Sequence, residues 1–309
     1  MNNEAALPEH IAHKVLSMLA PDSELISIAV PDGSFSNYTN IVTAKLKDGS
    51  LYKIVVRRYK VFGDYDRGEK AVREYKTFKL LNQHQIPAPE ALYLDETGEV
   101  LEIPGMVSKF MDGKLIMDTA PADPFDWASK LAKTLAKIHS ISCGEEEEKF
   151  LLEGNSQATW FLNKGEPPSY MQDYAGGAEL WYLMKKLYPQ IESVSPTLMH
   201  IDYWSGNILW HEDEISAVID WEEASYGDPA YDVAYARLNM TLMSLPEAAE
   251  EFLRVYESET GRKIKNLGFW ELAACVRPMT DPVDWRVNGI YGQNTSNFLQ
   301  FMEDAKKKV

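Results

Sequence analysis

His200-Ile201-Asp202-Tyr203-Trp204-Ser205-Gly206-Asn207-Ile208-Leu209-Trp210, with Ile219-Asp220-Trp221 a short way on, is the stretch that decides how this chain is read. Ile208–Trp210 and Ile215–Ile219 are apolar runs on either side of polar His211–Glu214, the pattern of a hairpin. With the turn centred on Glu212-Asp213, Asp220 falls opposite Ser205. Asn207 is then its diagonal neighbour on the same face, roughly 7–8 Å away. A carboxylate and an amide at that spacing supply hard oxygens of the kind Mg²⁺ accepts when phosphate and water complete its shell. Asp202 lies just before the hairpin, within reach of a hydroxyl nucleophile. Phosphoryl transfer needs this set: a carboxylate to orient and deprotonate the acceptor, and metal ligands to neutralise the phosphates. Singly the signals are weak, because an isolated Asp or Asn commonly belongs to a turn. Their order beside a hairpin is what carries the reading.

The 309 residues suffice for one large or two modest domains, each with a core. The 31 basic residues are outnumbered by 47 acidic ones, a formal charge of −16 that repels nucleic-acid backbones and favours a cationic small molecule. No apolar run approaches the roughly 20 residues of a membrane span, so no membrane partner is expected. Met1–His10 lacks the pattern of a signal peptide, and Cys143 and Cys275 have no metal-ligand spacing. Cytoplasmic residence is the expectation.

Outward from the hairpin, the first third reads as strands and then a helix. Ile26–Val30, Ile41–Leu46 and Leu51–Tyr59 are strand-like, the last two flanking the turn dipeptide Asp48-Gly49. Residues 68–83 are helical in character, and strands are expected at Ala91–Leu94 and Met106–Phe110. Trp127, Leu131, Leu135 and Ile138 keep helical spacing, and beyond Pro229 the chain reads mainly as helix. A small sheet-rich lobe followed by a larger helical lobe is the architecture implied.

The decisive stretch resembles the aminoglycoside phosphotransferase and choline kinase superfamily, relatives of the protein kinases. That family's pattern is H-x-D, four residues, N, a strand ending in Asp, and then G-D-P…D. The present chain supplies His200, Asp202, Asn207 and Asp220, then Gly227-Asp228-Pro229-Ala230-Tyr231-Asp232. The resemblance implies an α+β, protein-kinase-like bilobal fold. An antiparallel-sheet lobe at 1–107 would bind nucleotide. A hinge and mainly helical lobe at 108–309 would hold the catalytic and acceptor groups. It casts Asp202 as catalytic carboxylate and Asn207 and Asp220 as metal ligands. His200 would buttress the loop, and Asp228 and Asp232 would hold helix and loop in place.

The same resemblance can be followed into the small lobe. Lys53, Val55 and Arg57 share one face of their strand, and Arg57 is the cation expected at the α/β-phosphates. Glu74 lies at the edge of the helix's apolar face, close in angle to Phe78 and Leu81, and is the expected ion-pair partner. Ser34 and Ser36, in the turn Asp32–Asn37, would cover the phosphates. Backbone groups of Ser108 and Phe110 would meet adenine. The expected reaction is a Mg²⁺-dependent transfer of the γ-phosphate of ATP or GTP to a hydroxyl of a small, cationic acceptor. An aminoglycoside is the first candidate; choline, ethanolamine, another amino alcohol, a macrolide or a sugar are alternatives. A nucleotide-binding pseudokinase is the reading from another class. The acceptor pocket is expected among the helices after Pro229 with Tyr203 and Trp204, and Trp270, Glu271, Asp281, Asp284 and Trp285 are candidates to line it.

Overall fold

The structure is a computed structural model that describes residues 6–31, 37–61, 66–117, 121–287 and 292–309. The chain divides into two units, one of residues 1–113 with 216–223, the other of 114–215 with 224–309. The expected cut at 107/108 therefore moves to Gly113. The segment Ser216–Glu223, assigned from sequence to the second domain, returns to the first.

In the first unit, helix α1 (Glu9–Leu19) precedes strands β1 (Glu24–Ala29), β2 (Tyr38–Lys45) and β3 (Leu51–Arg58). Helix α2 (Arg67–Gln83) and strands β4 (Ala91–Asp95) and β5 (Gly105–Lys109) follow. The five strands form an antiparallel sheet in the order β1-β2-β3-β5-β4. Alternation along β3 divides its side chains. Ile54 and Val56 are buried with Val42, Ala44, Val107 and the α1 residues Ile11 and Val15, and Arg57 projects from the other face. The β2–β3 turn follows the Asp48-Gly49 signal, with Gly49 at φ +85° and Ser50 bonded to Asp48 Oδ1 through its amide (2.9 Å) and hydroxyl (2.6 Å). Asp66 caps α2 by accepting from the amides of Gly68 (2.7 Å) and Glu69 (3.1 Å). The returning segment is tied in by Val218 N–H to Pro87 O (2.9 Å) and Ser216 Oγ–H to Asp112 O (2.8 Å).

The second unit is mainly helical. It contains α3 (Pro124–Ile138), the short helices α4 (Glu145–Glu148), α5 (Gly154–Ala158) and α6 (Ser169–Asp173), and α7 (Gly177–Leu187). After the strands come α8 (Ala230–Leu242), α9 (Pro246–Thr260), α10 (Leu267–Ala274), α11 (Val276–Thr280) and α12 (Gln293–Lys306). Strands β6 (Leu152–Glu153), β7 (Thr197–Met199) and β10 (Ser225–Gly227) make a small sheet, and β8 (Ile208–His211) and β9 (Glu214–Val218) form a hairpin in whose second strand, at Ser216, the chain passes back to the first unit. Every residue of α8 from Ala230 to Thr241 is buried, so it is the central helix of this unit. Its own Tyr231 and Tyr235 share a core with Trp181, Trp270 and Phe298. Among the described residues no helix is long and apolar enough to cross a membrane.

Candidate active site

In the second unit the chain leaves β7 and turns through Ile201 at φ +71°, a left-handed conformation that a β-branched residue rarely enters. The fully buried carboxylate of Asp232, in the first turn of α8, holds this turn. It accepts from the amides of His200 (2.7 Å) and Ile201 (2.8 Å) and lies 3.2 Å from His139 Nε2. His139 Nδ1 is 2.7 Å from the Tyr256 hydroxyl. Bonding the two amides that lead into the strained residue helps keep it in place. Asp202 follows immediately, its amide donating to His200 Nδ1 at 3.3 Å.

Two side chains then fix the Asp202 carboxylate. Asn207 Nδ2 donates to Oδ2 (2.8 Å) and to the Asp202 carbonyl (2.9 Å), and Arg277 Nη1 to Oδ1 (2.9 Å). The amide of Asn207 thus turns its donor end to Asp202, which makes its carbonyl oxygen the end that could meet a cation. A cavity of about 560 Å³ opens beside Asp202, lined by Trp204, Tyr235, Arg277, Trp285 and Arg286 among others. The Arg277 guanidinium sits 4.8 Å from the centroid of the Tyr235 ring. Burial, and secondarily the charge of Asp202, pushes the Tyr235 phenol well up.

The first unit carries the other charged cluster. Arg57 Nη1 donates to Glu74 Oε1 (3.2 Å), and Nη2 pairs with Asp220 Oδ1. The remaining oxygen of Glu74 accepts from the Tyr59 hydroxyl, and its Oε1 also takes the amide of Trp221 (3.1 Å). Burial pulls the Arg57 guanidinium down, yet the carboxylates of Asp220 and Glu74 outweigh it and hold the group well above its ordinary value. Asp220 itself has φ +66°, just past the end of β9. Beside it, Glu222 accepts from Asn37 Nδ2 (2.9 Å) and pairs with Lys70 (3.4 Å), and its carbonyl takes Arg73 Nη1 (2.8 Å).

Several sequence expectations change here. The hairpin forms with Glu212 and Asp213 at its turn, both at positive φ. Its ladder is shorter than expected, because Ser205–Asn207 is a 3₁₀ turn and β9 stops at Val218. Asn207 and Asp220 therefore do not lie on paired strands. Arg57 and Glu74 meet as expected. Ser108 lies inside β5, between Val55 of β3 and Ala91 of β4, and the Phe110 amide donates to Lys53 O at 3.2 Å. Ser34 and Ser36 lie outside the described residues. Asp284 and Trp285 line the cavity with Trp204. Trp270 and Glu271 do not, being buried against Asp228 (2.7 Å) and against Arg237 (3.0 Å) and Lys308 (2.6 Å). Tyr203 is likewise core, its hydroxyl on Leu131 O at 3.0 Å.

Reasoning from sequence missed Arg277, Tyr59 and the bracing of Glu222. Tyr59 offered a signal, standing two residues beyond Arg57 on the same face of the strand. Arg277 offered none.

An antiparallel five-stranded sheet with a helical second unit, and an H-x-D…N…D series, define a small-molecule phosphotransferase fold. Residues 32–267 match the model of the phosphotransferase enzyme family called APH, and the chain belongs to that family. It is 28% identical over 223 residues to the probable acyl-CoA dehydrogenase IBR3 of Arabidopsis thaliana, covering 65% of this chain and 26% of that protein. The match spans 20–26% of the length of this and two further acyl-CoA dehydrogenase relatives. Among solved structures, aminoglycoside phosphotransferase APH(4)-Ia superposes with a TM-score of 0.62 at 15% identity, over 96% of this chain and 99% of that one. An amicoumacin kinase in complex with AMP-PNP and Ca²⁺ gives a TM-score of 0.61 at 12% identity, over 97% and 94%. At these identities the structural likenesses speak for the fold.

Proposed function

We propose that this protein transfers the γ-phosphate of ATP to a hydroxyl of a small molecule, in the cytoplasm and without a nucleic-acid or membrane partner. The observation that carries the reading is the carboxylate of Asp202, held between Asn207 and Arg277 at the mouth of a cavity large enough for a small acceptor. Asp202 orients the acceptor hydroxyl and takes its proton. Arg57 contacts the α/β-phosphates, and Glu74 with Tyr59 fixes the direction of its guanidinium. Ser34 and Ser36 cover the phosphates, and the backbone around Ser108 and Phe110 receives adenine. The Asn207 carbonyl and the Asp220 carboxylate are hard oxygen donors, a set that suits Mg²⁺ and not a thiolate-preferring metal. When bound with the triphosphate, Mg²⁺ supplies charge neutralisation at the phosphates. Cytoplasmic residence is supported by two cysteines that are both free thiols. The net charge of −16 argues against nucleic acid.

A second reading, a nucleotide-binding pseudokinase, draws on the same Arg57. Its contact with Asp220 occupies one oxygen of a carboxylate that would otherwise serve the metal. ATP consumption measured across a panel of alcohols, with Mg²⁺ and with chelator, separates the two. Acceptor-dependent consumption supports the enzyme, and its absence with every alcohol supports the pseudokinase.

A further inference from the structure

Arg58 follows Arg57 in β3 and turns the other way, to the face that carries Ile54 and Val56. Its side chain is only 6% exposed, and among the described residues it forms no ion pair. Of its three nitrogens, Nη2 alone finds a hydrogen-bond partner there, the carbonyl of Ala6 at 3.4 Å, and the buried Nε has none. Glu102, whose charge reaches Arg58 through space, is hydrogen-bonded to His10 at 2.7 Å. Burial outweighs that charge and draws the guanidinium below its ordinary value. Charges this deep are normally paired, so Arg58 lacks a counter-ion. It lines a cavity of about 540 Å³ in the first unit, together with Lys60 and Arg67. No carboxylate lines that cavity among the described residues, although the protein as a whole carries a formal charge of −16.

We propose that this cavity binds a small phosphate monoester, held by Arg58 and Arg67 and separate from the phosphate contact assigned to Arg57. The site goes beyond the kinase reading and does not rest on it. Strand alternation keeps the two sites apart, since Arg57 on the opposite face is engaged with Glu74 and Asp220. A guanidinium presents its donors in a planar fork that fits a phosphate group, and two of them balance a dianion where a single carboxylate would balance one. Arg67, half-buried at the first position of α2, likewise forms no ion pair among the described residues. Tyr38 stands opposite Arg58 across the β2–β3 ladder and orients the site. Its ring centroid lies 5.6 Å from the Arg58 guanidinium and 4.8 Å from Lys60 Nζ. Lys60 adds positive charge from the strand end, where its amide donates to Asn37 Oδ1 at 3.2 Å. Pro8, Val61 and Ile103 give the cavity an apolar side for the carbon part of the ester.

Calorimetry on the nucleotide-free full chain tests this, with glycerol 3-phosphate as probe and glycerate and glycerol as controls. Glycerol 3-phosphate should bind the wild type in the millimolar range or tighter. Glycerate should bind about ten-fold more weakly, and glycerol not at all. Arg58→Gln should weaken the ester by about ten-fold or more, because hydrogen bonds between charged groups are lost. Arg67→Gln should weaken it by about three-fold or more, and this variant carries the test if Arg58→Gln does not fold. Arg57→Gln should change it less than about two-fold, because Arg57 faces away from the cavity. Absence of binding to the wild type in the millimolar range overturns the proposal, as does glycerate binding as tightly as the ester. Binding that survives the substitutions of Arg58 and Arg67 also overturns it. So does binding abolished by Arg57→Gln, which would place the anion at the Arg57 cluster instead. Each of these results leaves the kinase reading standing, since neither nucleotide nor acceptor is present.

Discussion

Glu74 meets Arg57 at 3.2 Å with its side chain 1% exposed, so one of the most deeply buried acids of the first unit leans on a cation it shares with Asp220. Burial raises the Glu74 carboxyl, and the charges of Asp220 and Glu222 add to it. Arg57 and the Tyr59 hydroxyl oppose them, and the group settles at about 7.

A carboxyl raised on folding stabilises the native state at low pH and loses that contribution as pH climbs through its folded value. The stability difference between wild type and Glu74→Gln should therefore fall by about 3 kcal/mol between pH 4 and 8 in the nucleotide-free protein. Urea unfolding across that range measures it. A difference that is flat with pH would show that Glu74 keeps its ordinary acidity.

Arg57 and Glu74 should also couple in function. Each single alanine substitution should weaken ATP binding or lower kcat, Arg57→Ala the more severely. The double mutant should be better than additivity predicts by about 0.5–3 kcal/mol. Arg57→Ala leaves the buried Glu74 without its cation, and Glu74→Ala leaves Arg57 with Asp220 as its one carboxylate partner among the described residues. Strict additivity in a double-mutant cycle would exclude the pair as a functional unit.

The turn at Ile201 makes a stability prediction for the second unit. Asp232→Ala removes the acceptor of two backbone amides and the partner of His139, all in a water-excluded site. A loss of about 3 kcal/mol or more is expected in denaturant unfolding, since unsatisfied buried donors retain their desolvation cost. A loss below about 1 kcal/mol would mean that other groups hold the turn.

Much of this was legible because it is local. The Glu212-Asp213 turn between two apolar runs, the Asp48-Gly49 hairpin and the helix at 67–83 each announce themselves over a few residues. Strand alternation puts both Lys53 and Arg57 on one face and helix angle favours Glu74, and the family resemblance is what paired Arg57 with Glu74. Helix α1 was overlooked, although Ile11, Val15 and Leu19 recur at helical spacing. The termination of the β8–β9 ladder could not be read, since a strand pattern does not show where φ turns positive, as it does at Asp220. Nor could Arg277, which reaches Asp202 from a helix of five residues whose neighbours have no periodic signature.

Asp202→Ala should lower kcat by about 10²–10⁴ while leaving ATP affinity within a few fold. Its carboxylate is bonded to Asn207 and Arg277 at the acceptor cavity, and the role proposed for it is toward the hydroxyl. Near wild-type turnover by the mutant on a true acceptor would remove Asp202 from the chemistry.

Mg²⁺ and ATP should bind with mutual dependence, each raising the other's affinity by one common factor. A metal held by two protein oxygens keeps its waters until phosphates replace them. Calorimetry should find ATP tighter with Mg²⁺ than with chelator, and Asp220→Ala should erase the difference. Equal binding in both conditions would favour the pseudokinase.

Phosphorus NMR of the reaction mixture tests the central claim most directly. With protein, Mg²⁺, ATP and the panel of alcohols, a phosphomonoester signal should grow in step with ADP and vanish with Asp202→Ala. ADP appearing only with inorganic phosphate, or ATP left unconsumed with every alcohol, would contradict phosphoryl transfer to a hydroxyl.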